Sequence, residues 1–183
     1  MASKMSYQQR LKKDLDGVIG SLDLRAPEKH FLRLRWLDQV LWMEGAADSA
    51  RNRYYALRLT TIVGGVIVPA LIALKLNGHA KTAVYWVTIG LSLIVALSAA
   101  VEEFFHFGER WRHYRRTVEL LKEEGWQFFQ SSGPYRSYHK DLERGYAAFA
   151  ERVESLLKAD VNAYIKQVVQ DKPDQEPAPT ETD

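Results

Sequence analysis

No cysteine occurs in the 183 residues. That excludes disulfides, thiolate zinc sites and cysteine nucleophiles, and it leaves the compartment open. Neither sign of charge dominates: 25 Lys and Arg stand against 23 Asp and Glu, a net charge of +2, so no global field directs the chain to nucleic acid. The stretch from Met1 to Arg10 lacks the apolar core of a cleaved signal peptide. No glycine-rich phosphate loop is present, and no nucleophile, base and orienting group fall at spacings that point to catalysis. The expectation is therefore a chain that is not an enzyme, with no cofactor and no metal.

What the chain does have is two uncharged apolar runs joined by a short polar turn. The first, Leu59 to Leu74, is bordered by Arg58 and Lys75; the second, Ala83 to Val101, stops at Glu102 and Glu103. As helices they reach roughly 24 and 28 Å, close to the thickness of a bilayer's hydrocarbon core. Only a helix satisfies its own backbone groups in lipid, so adjacent runs of this kind predict a transmembrane hairpin turning at Asn77 to Thr82. The alternative is a hairpin hidden in a soluble form that inserts on a trigger. Hiding it takes many amphipathic helices, and only three or four others are legible here. With 26% charged residues and a mean hydropathy of −0.30, most of the chain lies outside the bilayer.

Arg51, Arg53 and Arg58 precede the first run, and Arg110, Arg112, Arg115 and Arg116 follow the second, whereas the turn side has Lys75 and Lys81. The positive-inside rule puts both termini in the cytoplasm of a multi-pass inner-membrane protein. Tyr85 and Trp86 mark the outer interface; Tyr54, Tyr55, Phe104, Phe105 and Phe107 mark the inner one.

The rest reads as helix. Residues 1–27 form an N-terminal segment whose Leu11, Leu15, Val18 and Ile19 share one side, turned either to membrane or to neighbouring helices; Pro27 opens the next helix. The unit proper covers 28–170, with spans at about 58–76 and 83–101, a cytoplasmic stalk of 28–57 and 102–130, and a final helix over 140–169. Trp36, Val40, Met43, Ala47, Ala50, Tyr54 and Leu57 alternate spacings of four and three, and Trp111, Tyr114, Val118, Leu121, Gly125 and Phe128 keep the same rhythm. Both spans are expected to run unbroken into this stalk until Gly133-Pro134. The last helix carries Tyr146, Phe149, Val153, Leu157, Val161, Tyr164 and Val168; the tail 171–183 has no apolar anchor and reads as disordered. The seams offer more apolar surface than one hairpin and one further helix would cover, which predicts a cyclic homo-oligomer.

The segment Glu109-Arg-Trp-Arg-His-Tyr-Arg115, the Leu121-Lys-Glu-Glu124 stretch, the Gly133-Pro-Tyr135 break and Phe149-Ala-Glu-Arg-Val-Glu-Ser-Leu-Leu157 resemble the SLATT superfamily (SMODS- and SLOG-associating two-transmembrane effector domains) in its stand-alone branch. The resemblance covers about residues 30–168. It implies a bacterial membrane hairpin with a cytoplasmic helical extension that oligomerises and forms pores; members fused to sensor domains look like membrane-permeabilising defence effectors.

Three groups carry candidate chemistry. Thr88, Ser92, Ala96 and Ala99 recur every three or four residues on the second span, a small and polar face that lines water in an oligomer or lets helices approach closely; Ser98 is rotated away from it. Thr61, Gly65 and Pro69, spaced by four on the first span, point to packing and bending. Glu102 and Glu103, with His106, stand at the inner end, where a symmetric assembly turns each into a ring that attracts cations. Glu102, His106, Glu109 and His113 would share one helical face; as a metal site it lacks a second set of ligands. Arg110, Arg112, Arg115 and Arg116 form a basic collar suited to anionic lipid head groups. The expectation is an all-α, cation-preferring oligomeric pore or channel whose partners are itself, the lipid bilayer and inorganic cations. The alternative is a non-conducting membrane scaffold or effector whose cytoplasmic helices bind a partner.

Overall fold

The structure, a computed structural model, describes residues 6–74, 77–139 and 141–170. It is all-α. Helix α1 is Tyr7–Ser21, α2 Ala26–Phe31, α3 Asp38–Ala73, α4 His79–Phe105, α5 Phe107–Phe129 and α6 Leu142–Gln170. A π-helical turn, Leu32–Leu37, joins α2 to α3 without interruption, and a 3₁₀ turn, Gly133–Tyr138, precedes α6. The chain divides into two compact units. One comprises Met1–Leu15 and Leu37–Val118, the other Asp16–Trp36 and Glu119–Asp183.

In the first unit the apolar periodicity is spent on packing. Val40, Met43, Ala47 and Ala50 are buried, as are Leu15, Phe107 and Val118. Tyr54 stacks on Trp111 with centroids 6.4 Å apart, and Trp42 meets Tyr114 edge-on at 5.7 Å. Beyond Ala50 the surroundings change. Two helical stretches are long and apolar enough to cross a membrane, and the protein itself buries 6% of the first and 0% of the second.

In the second unit Trp36 is the centrepiece. Its indole N–H donates to the Leu121 carbonyl at 2.9 Å, and its ring lies so close to α5 that a Cβ on Gly125 would sit 2.2 Å from it. Phe149 of α6 stacks on Phe128 at 4.7 Å, and Tyr135 closes the cluster edge-on to Phe128 at 5.5 Å. The buried Glu124 accepts from the Tyr135 hydroxyl and from Arg152, the latter also through Nη2 at 3.0 Å. Burial and the adjacent Glu124 carboxylate push the Tyr135 hydroxyl pKa up, so it keeps its proton. At the start of α2, Glu28 accepts the Arg25 backbone N–H at 2.9 Å and pairs with its guanidinium, while Pro27 occupies the first turn.

The structure corrects the expectations in several places. Helix runs from Ala26 to Ala73, but through a π turn that no periodicity announces. The wider turn places both Trp36 and Leu37, consecutive residues, in buried positions along with Leu32 and Val40. Leu15 and Ile19 of α1 are buried against protein, which decides between the two surroundings left open for that side. Met43 and Leu121, central to the two seams, are buried within the chain. The tail 171–183 and Lys75 lie outside the described residues, as do the side chains of Tyr164 and Val168.

The Arg25 side-chain bond holds Glu28 below the usual carboxylate range, and the Arg35 guanidinium, 2.6 Å away, does the same for Glu154. A depressed folded-state pKa contributes stability above the unfolded pKa that is lost as pH falls through the folded one. Thermal unfolding followed by circular dichroism should therefore show a midpoint that drops as pH descends through and below the ordinary carboxylate range. Arg35→Gln should reduce that dependence and, because the pair is half-exposed, cost at most about 1 kcal/mol at neutral pH.

Candidate functional site

The two apolar helices pack on each other through a narrow strip. On α3 the half-buried or buried positions are Leu57, Thr61, Gly64, Val68 and Leu71; on α4 they are Val84, Thr88, Leu91, Val95 and Ser98. Steps of three and four residues keep each set on one face. The closest approach is at Gly64, where an added Cβ would lie 2.1 Å from Val95 Cγ2. At Gly65 nothing lies within 4 Å of such a Cβ. The expectation that Gly65 and Pro69 serve packing is thus corrected: Gly64 makes the close contact, while Gly65 and Pro69 are exposed.

This strip also redistributes the small-residue stripe. Thr88 belongs to the packed strip, and its hydroxyl donates to the Val84 carbonyl of its own helix at 2.7 Å. Ser92, Ala96 and Ala99 are exposed beside the strip, and the bulky Leu93 and Leu97 point elsewhere, 67% and 61% exposed. Ser98, rotated away from the exposed Ser92, Ala96 and Ala99, is buried where α4 meets α3. Its replacement by Leu would disturb the hairpin. Thr60 and Thr61 likewise donate to the carbonyls of Ala56 and Leu57, at 2.9 and 3.0 Å. Hydroxyls so bonded add no unsatisfied polar group to an apolar helix.

At the far end of α4 the backbone turns. His106 takes left-handed angles, φ 49° and ψ 44°, and donates its N–H to the Glu102 carbonyl at 2.9 Å; its own carbonyl accepts from Glu109 and Arg110, both at 3.1 Å, to start α5. The expected unbroken run from the second span into the stalk is therefore corrected, and with it the single face of Glu102, His106, Glu109 and His113. The break turns Phe107 into the first unit's core and brings Gly108 under the Tyr54 ring, where a Cβ would lie 2.9 Å from Cε2. Histidine is among the few non-glycine residues enriched in this conformation, the one local signal available beforehand. Among the described residues no three His, Asp or Glu side chains gather as a metal site requires.

Glu102 is half-buried and Glu103 exposed, and among the described residues neither pairs with a cation. They occupy the last turn of α4, where the helix dipole disfavours negative charge. The arginine collar is not uniform. Arg110, Arg112 and Arg116 are exposed, but Arg115 Nη1 donates to Oε1 of Glu44 on α3 at 3.0 Å. Glu44 is 2% exposed, a buried carboxylate that periodicity conceals because it stands beside Met43, one step off the apolar phase. Arg53 lies over the Phe107 ring, 5.7 Å from its centroid.

These features define an all-α protein built on a hairpin of two long, bare apolar helices with charged groups gathered at one end. Residues 38–142, more than half of the chain, match the family described as a protein of unknown function (DUF4231), and the chain belongs to that family. The match takes in the whole hairpin, the His106 joint, the collar and the Gly133-Pro-Tyr135 break. No curated protein and no solved structure matches the chain.

The two adjacent glycines give a sharp test of this packing. Gly64→Leu should destabilise the detergent-solubilised protein by about 1–3 kcal/mol, the usual cost of forcing volume into a close contact. Gly65→Leu, facing open space, should shift the melting midpoint little or upward. Equal effects at both positions would contradict the assigned face.

Proposed function

We propose that this protein is a stand-alone relative of the SLATT two-transmembrane effectors that inserts its hairpin in the bacterial inner membrane and assembles as a cation-preferring pore. The reading rests first on the bareness of the hairpin: nothing in the described residues covers the apolar stretches, as a concealed soluble form would require. Orientation follows from charge. Exposed Arg110, Arg112 and Arg116, with Arg58, flank the end near the termini, and no acidic residue lies between Asp48 and Glu102 to offset the lysines at the other end. Both termini are then cytoplasmic.

One observation carries the step to conduction. Two carboxylates without cationic partners among the described residues end the second apolar helix, against its dipole. Placing charge there costs stability unless something else uses it. Repeated around an axis, Glu102 or Glu103 raises the local cation concentration at a pore mouth, and low-dielectric walls strengthen that field. A single hairpin encloses no water path, so several copies are needed. The exposed Ser92, Ala96 and Ala99 let neighbouring hairpins approach closely or line the path.

The second reading, a non-conducting scaffold or effector that binds a partner through its cytoplasmic helices, draws on Thr88. With that hydroxyl committed to Val84, Ser92 alone contributes a free hydroxyl to the stripe, which suits helix packing as well as water.

Reversal potentials in planar bilayers under a salt gradient separate the two. Wild-type protein should conduct with cation preference, and the Glu102→Gln, Glu103→Gln double variant should lose conductance or preference while keeping its assembled mass. Ser92→Leu should reduce conductance, and Leu97→Met, on the far side of α4, should not. Unchanged selectivity in the double variant removes the carboxylate ring, and a silent wild type favours the scaffold.

A further inference from the structure

At the turn end of the hairpin the two helices leave a cleft of about 210 Å³. Leu71 and Leu74 at the end of α3 and Val84, Tyr85 and Thr88 of α4 line it, with Lys81 among them as its cation. The Thr88 hydroxyl is already given to Val84, so the lining offers little to water. In a bilayer an apolar void of this size does not stay empty, because its lining forfeits dispersion contacts that a hydrocarbon chain restores. Lys81, for its part, has no nearby counter-charge in sequence: the chain contains no Asp or Glu between Asp48 and Glu102. An anion meeting Lys81 must come from outside the hairpin.

We propose that this cleft binds one phospholipid of the outer leaflet, its acyl chain between Leu71 and Val84 and its phosphate on Lys81. The 60% exposed Tyr85 ring stands at the level where chain and head group meet. This rests on the membrane reading of the hairpin and is independent of conduction. Phospholipid is favoured over a second copy of the chain because the cleft joins an apolar lining to the Lys81 ammonium, the complement of an anionic head group on a hydrocarbon chain.

The test is native mass spectrometry of the full chain in mild detergent, titrated with phosphatidylglycerol. Wild type should retain one lipid per chain. Lys81→Gln should weaken retention about fivefold, the usual contribution of one basic side chain near lipid phosphates, and Lys81→Arg should preserve it. Val84→Trp, which fills the cleft, should abolish retention while the protein still fractionates with membranes. Retention unchanged in both Lys81→Gln and Val84→Trp, or a wild type that binds no lipid, overturns the proposal. A dimer that Val84→Trp converts to monomer makes a second copy the occupant and also overturns it. A wild type that stays soluble without detergent fails earlier, taking the membrane reading with it.

Discussion

Apolar surface that the protein does not cover is the constraint on which the rest depends. Between Arg58 and Glu102 the chain offers two long helices whose side chains meet each other only along one strip, Gly64 against Val95 at its tightest. Much of what is polar within them is settled locally. Backbone groups bond along the helix, and the hydroxyls of Thr60, Thr61 and Thr88 bond to carbonyls four residues earlier. Such a hairpin leaves a large apolar surface bare and satisfies its own backbone groups, as a bilayer interior requires of a spanning segment. The membrane reading is a consequence of that contrast, and pore, scaffold and lipid cleft all concern what the bare faces meet.

Outside the hairpin the chain behaves like an ordinary soluble protein. Trp36, seated against Gly125 and bonded to the Leu121 carbonyl, packs with Phe129 and Phe149 as a core would. Its buried acids are met by arginines: Glu44 by Arg115, Glu124 by Arg152, Glu28 by Arg25. Breaking such a pair leaves a buried charge, which makes each a constraint on geometry whatever its net contribution. Glu102 and Glu103 are the contrast within the same chain. They sit at a helix end that disfavours them and, among the described residues, lack the arginine partner the buried acids have. That difference is why function is sought there.

Much of this was legible because burial follows periodicity where one face is polar. The positions Trp36, Val40, Met43, Ala47 and Ala50, and later Phe149, Val153 and Leu157, could be placed inward from spacing alone, and all are buried. Inside the hairpin the same method fails for a physical reason. A helix apolar all round has no preferred face, so nothing in the sequence says whether Gly64 or Gly65, Ser92 or Ser98, turns to the neighbour. Only the partner helix decides, and it chose Gly64, Thr88 and Ser98. The π turn at Leu32–Leu37 and the left-handed His106 were hidden differently. Each is a local backbone adjustment that tertiary contacts impose, on Trp36 and Leu37 in one case and on Phe107 and Gly108 in the other. The Glu44–Arg115 pair was hidden because its members lie 71 residues apart.

The central claim is that the hairpin crosses a bilayer twice, with its turn on one side and both termini on the other. Because the chain has no cysteine, single cysteines report position without background. Asn77 suits the turn better than Gly78, whose φ of 64° would strain any side chain. In intact cells treated with a membrane-impermeant thiol reagent, Asn77→Cys should be labelled, and Ser49→Cys and Ser132→Cys should be labelled only after lysis. Labelling of Ser132→Cys in intact cells, or equal protection of all three in a chain that washes free of membranes without detergent, would contradict the account.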